Sequence, residues 1–204
     1  MSKKRAARRA QIISGAISAI ADHGYERATI QRIATQCDIT PGLIHYHFKN
    51  KQEILVAVLE ELSARLLARY EASLPTQDDT STVANQASSR IDAFISALLS
   101  RELGEDQHAL ACWVTIAAES VHSSEVQVHF DGVMLQQHAL LCEALEQEHR
   151  CQPALAQEIA TAILAQIQGV FLLSQASPAL MREGFALRQV RASIRGMLIL
   201  AMGV

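Results

Sequence analysis

Aromatic residues are scarce in this 204-residue chain: one Trp, three Tyr and five Phe, 4% in all. A cage of rings around a quaternary ammonium needs several of them in one place, so no such cage is expected. Proline and glycine are also sparse, at four and nine, which leaves few interruptions to regular structure. No run of alternating β-branched residues forces a strand. The four cysteines, Cys37, Cys112, Cys142 and Cys151, are scattered and form no CxxC pair. That excludes the usual zinc-ribbon and disulfide patterns and fits a reduced compartment. Neither a Gly-rich phosphate loop nor a G-x-S-x-G elbow occurs, so nucleotide and ester hydrolysis lack support. The basic N-terminus is not followed by a signal-peptide core, because Ser14, Gly15 and Ser18 interrupt Ile12–Ala21. No apolar run reads as long enough to span a membrane. The expectation is a cytoplasmic protein without a membrane partner.

What is present is helical. Half of the chain is hydrophobic, with Ala and Leu abundant, and the apolar positions recur at helical spacing. The pattern predicts an all-α fold of about nine helices. The net charge of −3 hides an asymmetry. Residues 1–56 hold nine Lys/Arg against four Asp/Glu, and the remainder holds nine against seventeen. A basic head on an acidic body suits a head that meets a polyanion.

The most informative stretch is Thr29–Phe48, TIQRIATQCDITPGLIHYHF. It reads as two short helices around a tight turn. Thr29 is a plausible N-cap of the first, with Ile33 and Ala34 inward. Asp38, in the Cys37-Asp38-Ile39 turn, tolerates a left-handed backbone. Thr40 caps the second helix and Pro41 suits its first turn. Leu43 and Phe48 are read as its apolar anchors. Gly42, His45, Tyr46 and His47 are read as outward, followed by Lys49 and Lys51. Such a helix-turn-helix places its second helix in the major groove.

The run TIQRIATQCDITPGLIHYHFKNKQEIL resembles the TetR (TetR/AcrR-type) family of bacterial regulators, over about residues 6–66. The residues that carry the resemblance are Thr29, Ile33, Ala34, Thr40, Ile44, His47, Phe48, Lys51 and Ile54 or Leu55. GLIHYHF and ACWVTIAAES add a likeness to its BetI-like branch. Three positions depart from the family pattern: His45 stands where Tyr is usual, Asp38 where Gly is usual, and Arg32 where an acid is frequent. Arg32 is read either as a solvated side chain or as a phosphate contact. The resemblance implies a head at residues 1–50 and a regulatory and dimerisation body at 51–204. DNA contacts are expected at Thr29, Arg32, Thr40, Pro41, Gly42, Leu43, His45, Tyr46, His47 and Lys51, with Lys51 at a phosphate.

Ser2–Arg9 reads as a basic arm leading into a helix that Gly24 ends. A long helix from Asn50 follows, then a polar linker at Ser73–Thr82. Further helices are expected at Val83–Leu103, stopped by Gly104, and at Glu105–Val121, Ser123–His149, Pro153–Ser174 and Leu187–Met202. The last two are apolar on more than one face, and such helices are buried on more than one face. With the resemblance, this gives a homodimer through Ile163, Ile167, Val170, Ile194 and Leu198, with packing in a monomer's own core as the alternative. Small residues at Ala165 and Gly169 permit close helix approach. A ligand pocket is expected near Trp113, with Phe94, Thr115, Ile116, Glu119, Gln166 and Phe171, or else these residues only pack a core.

Two E-x-x-H pairs, Glu119–His122 and Glu146–His149, suggest the one enzyme-class rival, a di-iron carboxylate protein. His122 reads as a helix end and Glu146–Arg150 as a solvated face, so no metal, cofactor or catalytic residue is expected. The reading is a repressor that binds near-palindromic double-stranded operator DNA and is released by a small amphipathic effector of unknown identity. The alternative is a regulator or activator that needs no ligand.

Overall fold

The computed structural model describes residues 3–74, 89–99, 107–182 and 184–202. Among these the chain forms nine α-helices and no strand. They are α1 (Lys3–His23), α2 (Ile30–Gln36), α3 (Pro41–His47), α4 (Lys51–Ser73), α5 (Arg90–Leu99), α6 (Gln107–Ser120), α7 (Ser124–His149), α8 (Pro153–Ala176) and α9 (Phe185–Met202). The expected 73–82 linker, apart from Ser73 and Leu74, lies outside the described residues, as do the helix ends expected at Val83, Leu103, Gly104 and Glu105. The basic arm is itself helical from Lys3 onward, as the first turns of α1.

The helices form two compact units, Met1–Ala64 with Asp106–Val133, and Arg65–Glu105 with Met134–Val204. Helices α4 and α7 run on from one unit into the other.

In the first unit, α1 packs on α2 and α6. Ile12, Ala16 and Ile20 of α1 lie one helical turn apart and are buried. They share the core with Ile33, Ala34, Ile44, Phe48, Ile54, Leu55 and Val58. Ile44 is 0% exposed while Leu43 is only half-buried, so Ile44 and Phe48 are the anchors of α3 and the reading of Leu43 is corrected. The two residues share a face because they are four apart.

The turn is held from α1. The Gln11 amide donates to the Cys37 carbonyl at 2.8 Å, and the Cys37 thiol donates to the Gln11 carbonyl at 3.4 Å. Gly15 lies beneath, where a Cβ would come within 2.1 Å of Cys37 Sγ. Burial pushes the Cys37 thiol pKa up, so the group stays protonated and works as a packed donor. Asp38 takes the expected left-handed conformation, φ 52°, as does Gly24 after α1, φ 80°. Asn50 and Glu53 start α4: Asn50 Oδ1 accepts from the Glu53 N–H at 2.8 Å, and Glu53 Oε2 accepts from the Lys49 N–H at 2.7 Å.

In the second unit, α9 packs on α5 and α8. Its core takes Leu66 and Tyr70 from α4, Ile91, Phe94 and Ile95 from α5, Leu141 and Leu145 from α7, and Ile159, Ile163, Ile167 and Phe171 from α8. Arg69 Nε donates to the Ala97 carbonyl at 3.0 Å, and Arg90 Nη1 to Gln147 at 2.7 Å.

Helix α8 corrects one expectation. Its 24 residues include a window of mean hydropathy 1.5, so by length and composition it could cross a membrane. Here one face is buried in the unit, while Thr161, Ala165, Gly169, Leu172 and Leu173 are exposed. The interface reading is corrected too. Ile163 and Ile167 are 0% exposed and Ile194 is 5% exposed within the single chain, so they face its own core and a partner cannot reach them. Val170 and Leu198 are half-buried.

Gly15→Ala should show how tightly α1 holds the turn. The methyl overlaps Cys37 Sγ, and overpacking of this kind costs about 1–3 kcal/mol, although alanine in mid-helix would ordinarily gain about 0.5–1 kcal/mol. Adding Cys37→Ala removes the overlapping sulfur and should recover part of the loss. Urea unfolding of the two single variants and the pair measures this coupling, and strict additivity would count against the contact.

Candidate nucleic-acid interface

Helix α3 is seven residues long, roughly 10 Å at the helical rise, and fits a major groove about 12 Å wide. Because Ile44 and Phe48 take its buried face, Gly42, His45 and Tyr46 are turned outward. Tyr46 is 69% exposed. Nothing lies within 4 Å of where a Cβ of Gly42 would be, so this is a bare spot where another backbone can approach closely. Pro41, Leu43 and His47 are half-buried at the edges.

The flanks are polar. Thr29 caps α2, its hydroxyl accepting from the Arg32 N–H at 3.3 Å. Thr40 occupies the N-cap of α3, but its side chain makes no capping bond and is exposed. Arg32 is exposed and donates from Nη1 to the Arg27 carbonyl at 3.0 Å, so its guanidinium is steadied and keeps further N–H donors.

Lys51 is more engaged than a free surface cation. Its Nζ lies 4.1 Å from the centre of the Tyr25 ring and donates to the Glu26 carbonyl at 3.0 Å. Burial, the largest effect, pushes its pKa down, and Glu26 and Glu119 act the other way. Burial also pushes Tyr25 up to about 12, with Glu125, Glu26 and Glu119 adding to the rise. Lys51 therefore joins the start of α4 to the segment after α1, with further N–H donors left over.

The N-terminal part of α1 belongs to the same surface, which the sequence reading did not assign. Arg9 lies 4.1 Å above the Phe48 ring and donates to the His47 carbonyl at 3.3 Å, at the C-terminal end of α3. Arg5, one turn earlier, stands 5.9 Å from the Tyr46 ring. The signal was the Arg5–Arg9 spacing of four, which puts both on one helical face. His47 is held below its ordinary pKa, by burial first and then by Arg5, Arg9 and Arg8. The result is a surface with a protruding helix, an exposed aromatic and a rim of cations, able to bind a polyanion.

The remaining candidates separate. Trp113, 7% exposed, packs at 4.9 Å on Phe130, and Thr115, Ile116 and Glu119 lie on the same α6 in the first unit. Phe94, Gln166 and Phe171 belong to the second unit, where Phe94 meets Tyr70 edge-on at 6.1 Å. His122 is exposed in the turn after α6. Among the described residues no three His, Cys, Asp or Glu side chains gather as a metal site would require.

Comparison with known proteins gives the same picture. Residues 12–58 match the family model "Bacterial regulatory proteins, tetR family". Residues 87–199, more than half of the chain, match "BetI-type transcriptional repressor, C-terminal". The chain is similar to the fatty acid metabolism regulator protein of Bacillus subtilis, 34% identical over 64 residues, 31% of this chain and 33% of that protein. It is 27% identical to the HTH-type transcriptional regulator BetI of Rhizobium meliloti over 123 residues, 59% of this chain and 55% of that one. The match thus spans a third of one curated relative's length and about half of the other's. Among solved structures, the SmeT–triclosan complex is similar in fold: TM-score 0.70, 22% identity, covering 92% of this chain and 91% of that one.

Lys51→Ala should destabilise the first unit. Losing a cation–π contact and a hydrogen bond costs roughly 1–2 kcal/mol. Arg5→Ala, at an exposed position, should stay within about 0.5 kcal/mol. Thermal unfolding followed by circular dichroism separates the two, and an unchanged Tm for Lys51→Ala would show that its contacts carry no stability.

Proposed function

The chain belongs to the tetR family of bacterial regulatory proteins and is a DNA-binding transcription regulator rather than an enzyme, and from that premise we propose that it is a dimeric repressor whose hold on its operator a small ligand loosens. The observation that carries this reading is the outward face of α2, the turn and α3, bordered by the cations of α1. Residues 1–50 serve as the head and 51–204 as the regulatory body. Arg5, Arg32 and Lys49 of the head, with Lys51 at the start of the body, meet phosphates together with Thr29 and Thr40, and fix the register without reading sequence. Pro41, Gly42, Leu43, His45 and Tyr46 meet base edges, with thymine methyls as partners for the apolar ones. Work on the chromosome places the protein in the bacterial cytoplasm.

The dimer reading rests on the outer face of α8. Thr161, Ala165 and Gly169 are small, with Leu172 53% exposed beyond them. Small residues let two helices approach closely, and the exposed leucines supply apolar area for an isologous contact. This face replaces Ile163, Ile167, Ile194 and, on α9, Leu198, while Val170 stays at its margin. The ligand reading draws on the relative solved with triclosan, an amphipathic small molecule. A ligand acts only if it binds one head spacing better than another, and DNA then weakens the ligand by the same factor.

Two experiments test the proposal. Footprinting upstream of the protein's own gene should show two related half-sites whose centres lie about 34–36 Å, or a multiple of that, apart. Protection of one asymmetric half-site at all concentrations would rule out the symmetric dimer on DNA. Leu172→Glu should give a folded monomer in sedimentation and weaken operator binding by about 100-fold or more, because linking two heads multiplies their affinities. Wild-type operator affinity in this variant would move the interface elsewhere.

A further inference from the structure

The second unit contains a groove of about 620 Å³ between α5 and α9, with His149 at the end of α7 also in its lining. The volume lies within the range of small-molecule sites, about 300–1,000 Å³. None of the residues read from the sequence as a ligand pocket lines it. Its floor is aliphatic: Ile91 and Ile95 of α5, 3% and 2% exposed, and Ile194 of α9, 5% exposed. Leu198 and Ile199 continue the wall along α9, and Ile199 is 49% exposed at the rim.

The charges in the groove do not balance. Asp92 is taken by Arg191, through Nε at 2.5 Å and Nη2 at 3.0 Å, and Arg191 also donates to Ser96 at 3.0 Å. That fork-to-fork pair commits the carboxylate to Arg191. Arg195 lies one helical turn further along the same face of α9. Among the described residues it has neither a hydrogen-bond nor an ion-pair partner. The groove therefore pairs an aliphatic trough with one uncompensated guanidinium at its border.

The geometry points to a binding site for an aliphatic carboxylate, its chain on Ile91, Ile95, Ile194 and Leu198 and its head on Arg195. A carboxylate suits Arg195 because the planar guanidinium offers two parallel N–H donors to two oxygens. An aliphatic amine would meet an uncompensated like charge. An aliphatic alcohol would fill the trough but forgo the charge-assisted bond. The site is independent of the operator and dimer readings, since every residue it uses comes from one chain and one unit.

Isothermal titration of the full-length protein with dodecanoate, below its micelle concentration, tests the site. One dodecanoate per chain is expected, bound about tenfold more tightly than dodecanol, with dodecyltrimethylammonium weaker than either. Arg195→Gln should weaken dodecanoate about tenfold and leave dodecanol unchanged. Ile199→Glu, at the exposed rim, should weaken both acid and alcohol. Arg182→Gln, an exposed arginine outside the groove, should weaken neither. Circular dichroism confirms that each variant is folded. Absence of dodecanoate binding, equal affinity for dodecanol, or equal losses in Arg195→Gln and Arg182→Gln would each overturn the assignment.

Discussion

The clasp between α1 and the turn is the constraint on which the head depends. Helices α2 and α3 are seven residues each, too short to hold their shape alone, because a helix of that length hardly repays its nucleation. Their geometry must come from packing. Gly15 removes a side chain so that Cys37 can enter, and the paired bonds between Gln11 and Cys37 hold the turn at one distance from α1. Asp38 then reverses the chain at φ 52°. With the turn fixed, Ile44 and Phe48 can reach the core, and the opposite face of α3 is turned to solvent.

The same cations serve stability and, in the function proposed, recognition. Arg9 covers Phe48 and bonds the end of α3, so it helps hold the helix whose surroundings it makes basic. Lys51 is similarly held by Tyr25 and Glu26, and it is proposed to meet a phosphate. Such side chains are half-buried and already oriented, so less rotamer entropy is lost when an anion arrives. A salt-dependent, sequence-independent part of the affinity can thus come from groups that already contribute to folding.

In the body, the ends of apolar helices divide their surfaces between several tasks. Helix α8 buries one face in its unit, packed on α9 and bonded to α7 through His138, and leaves Ala165, Gly169 and Leu172 outward. Helix α9 buries Ile194 and sets Arg191 against Asp92. Helix α4 runs unbroken from the first unit into the second.

The sequence alone determined the helical class, the bounds of most helices, the cap at Thr29, the left-handed Asp38 and the family likeness, whereas Thr40 stands at the N-cap position without making the capping bond. All of these are local: they depend on spacing of 3.6 residues, on capping groups and on backbone preference, which adjacent residues decide. Which apolar residue faces inward was less legible. Leu43 and Ile44 are neighbours with similar hydrophobicity, and only the packing of α3 on the core chose Ile44. Likewise Ile163, Ile167 and Ile194 read as an interface because composition cannot tell one's own core from a partner's. The part played by Arg5 and Arg9 had a periodic signal, but their contacts with Tyr46 and Phe48 join residues about 40 apart. Such contacts, and the separation of Trp113 from Phe94 and Phe171 into different units, belong to the tertiary structure, because burial and charge balance are set by neighbours in space and not by neighbours along the chain.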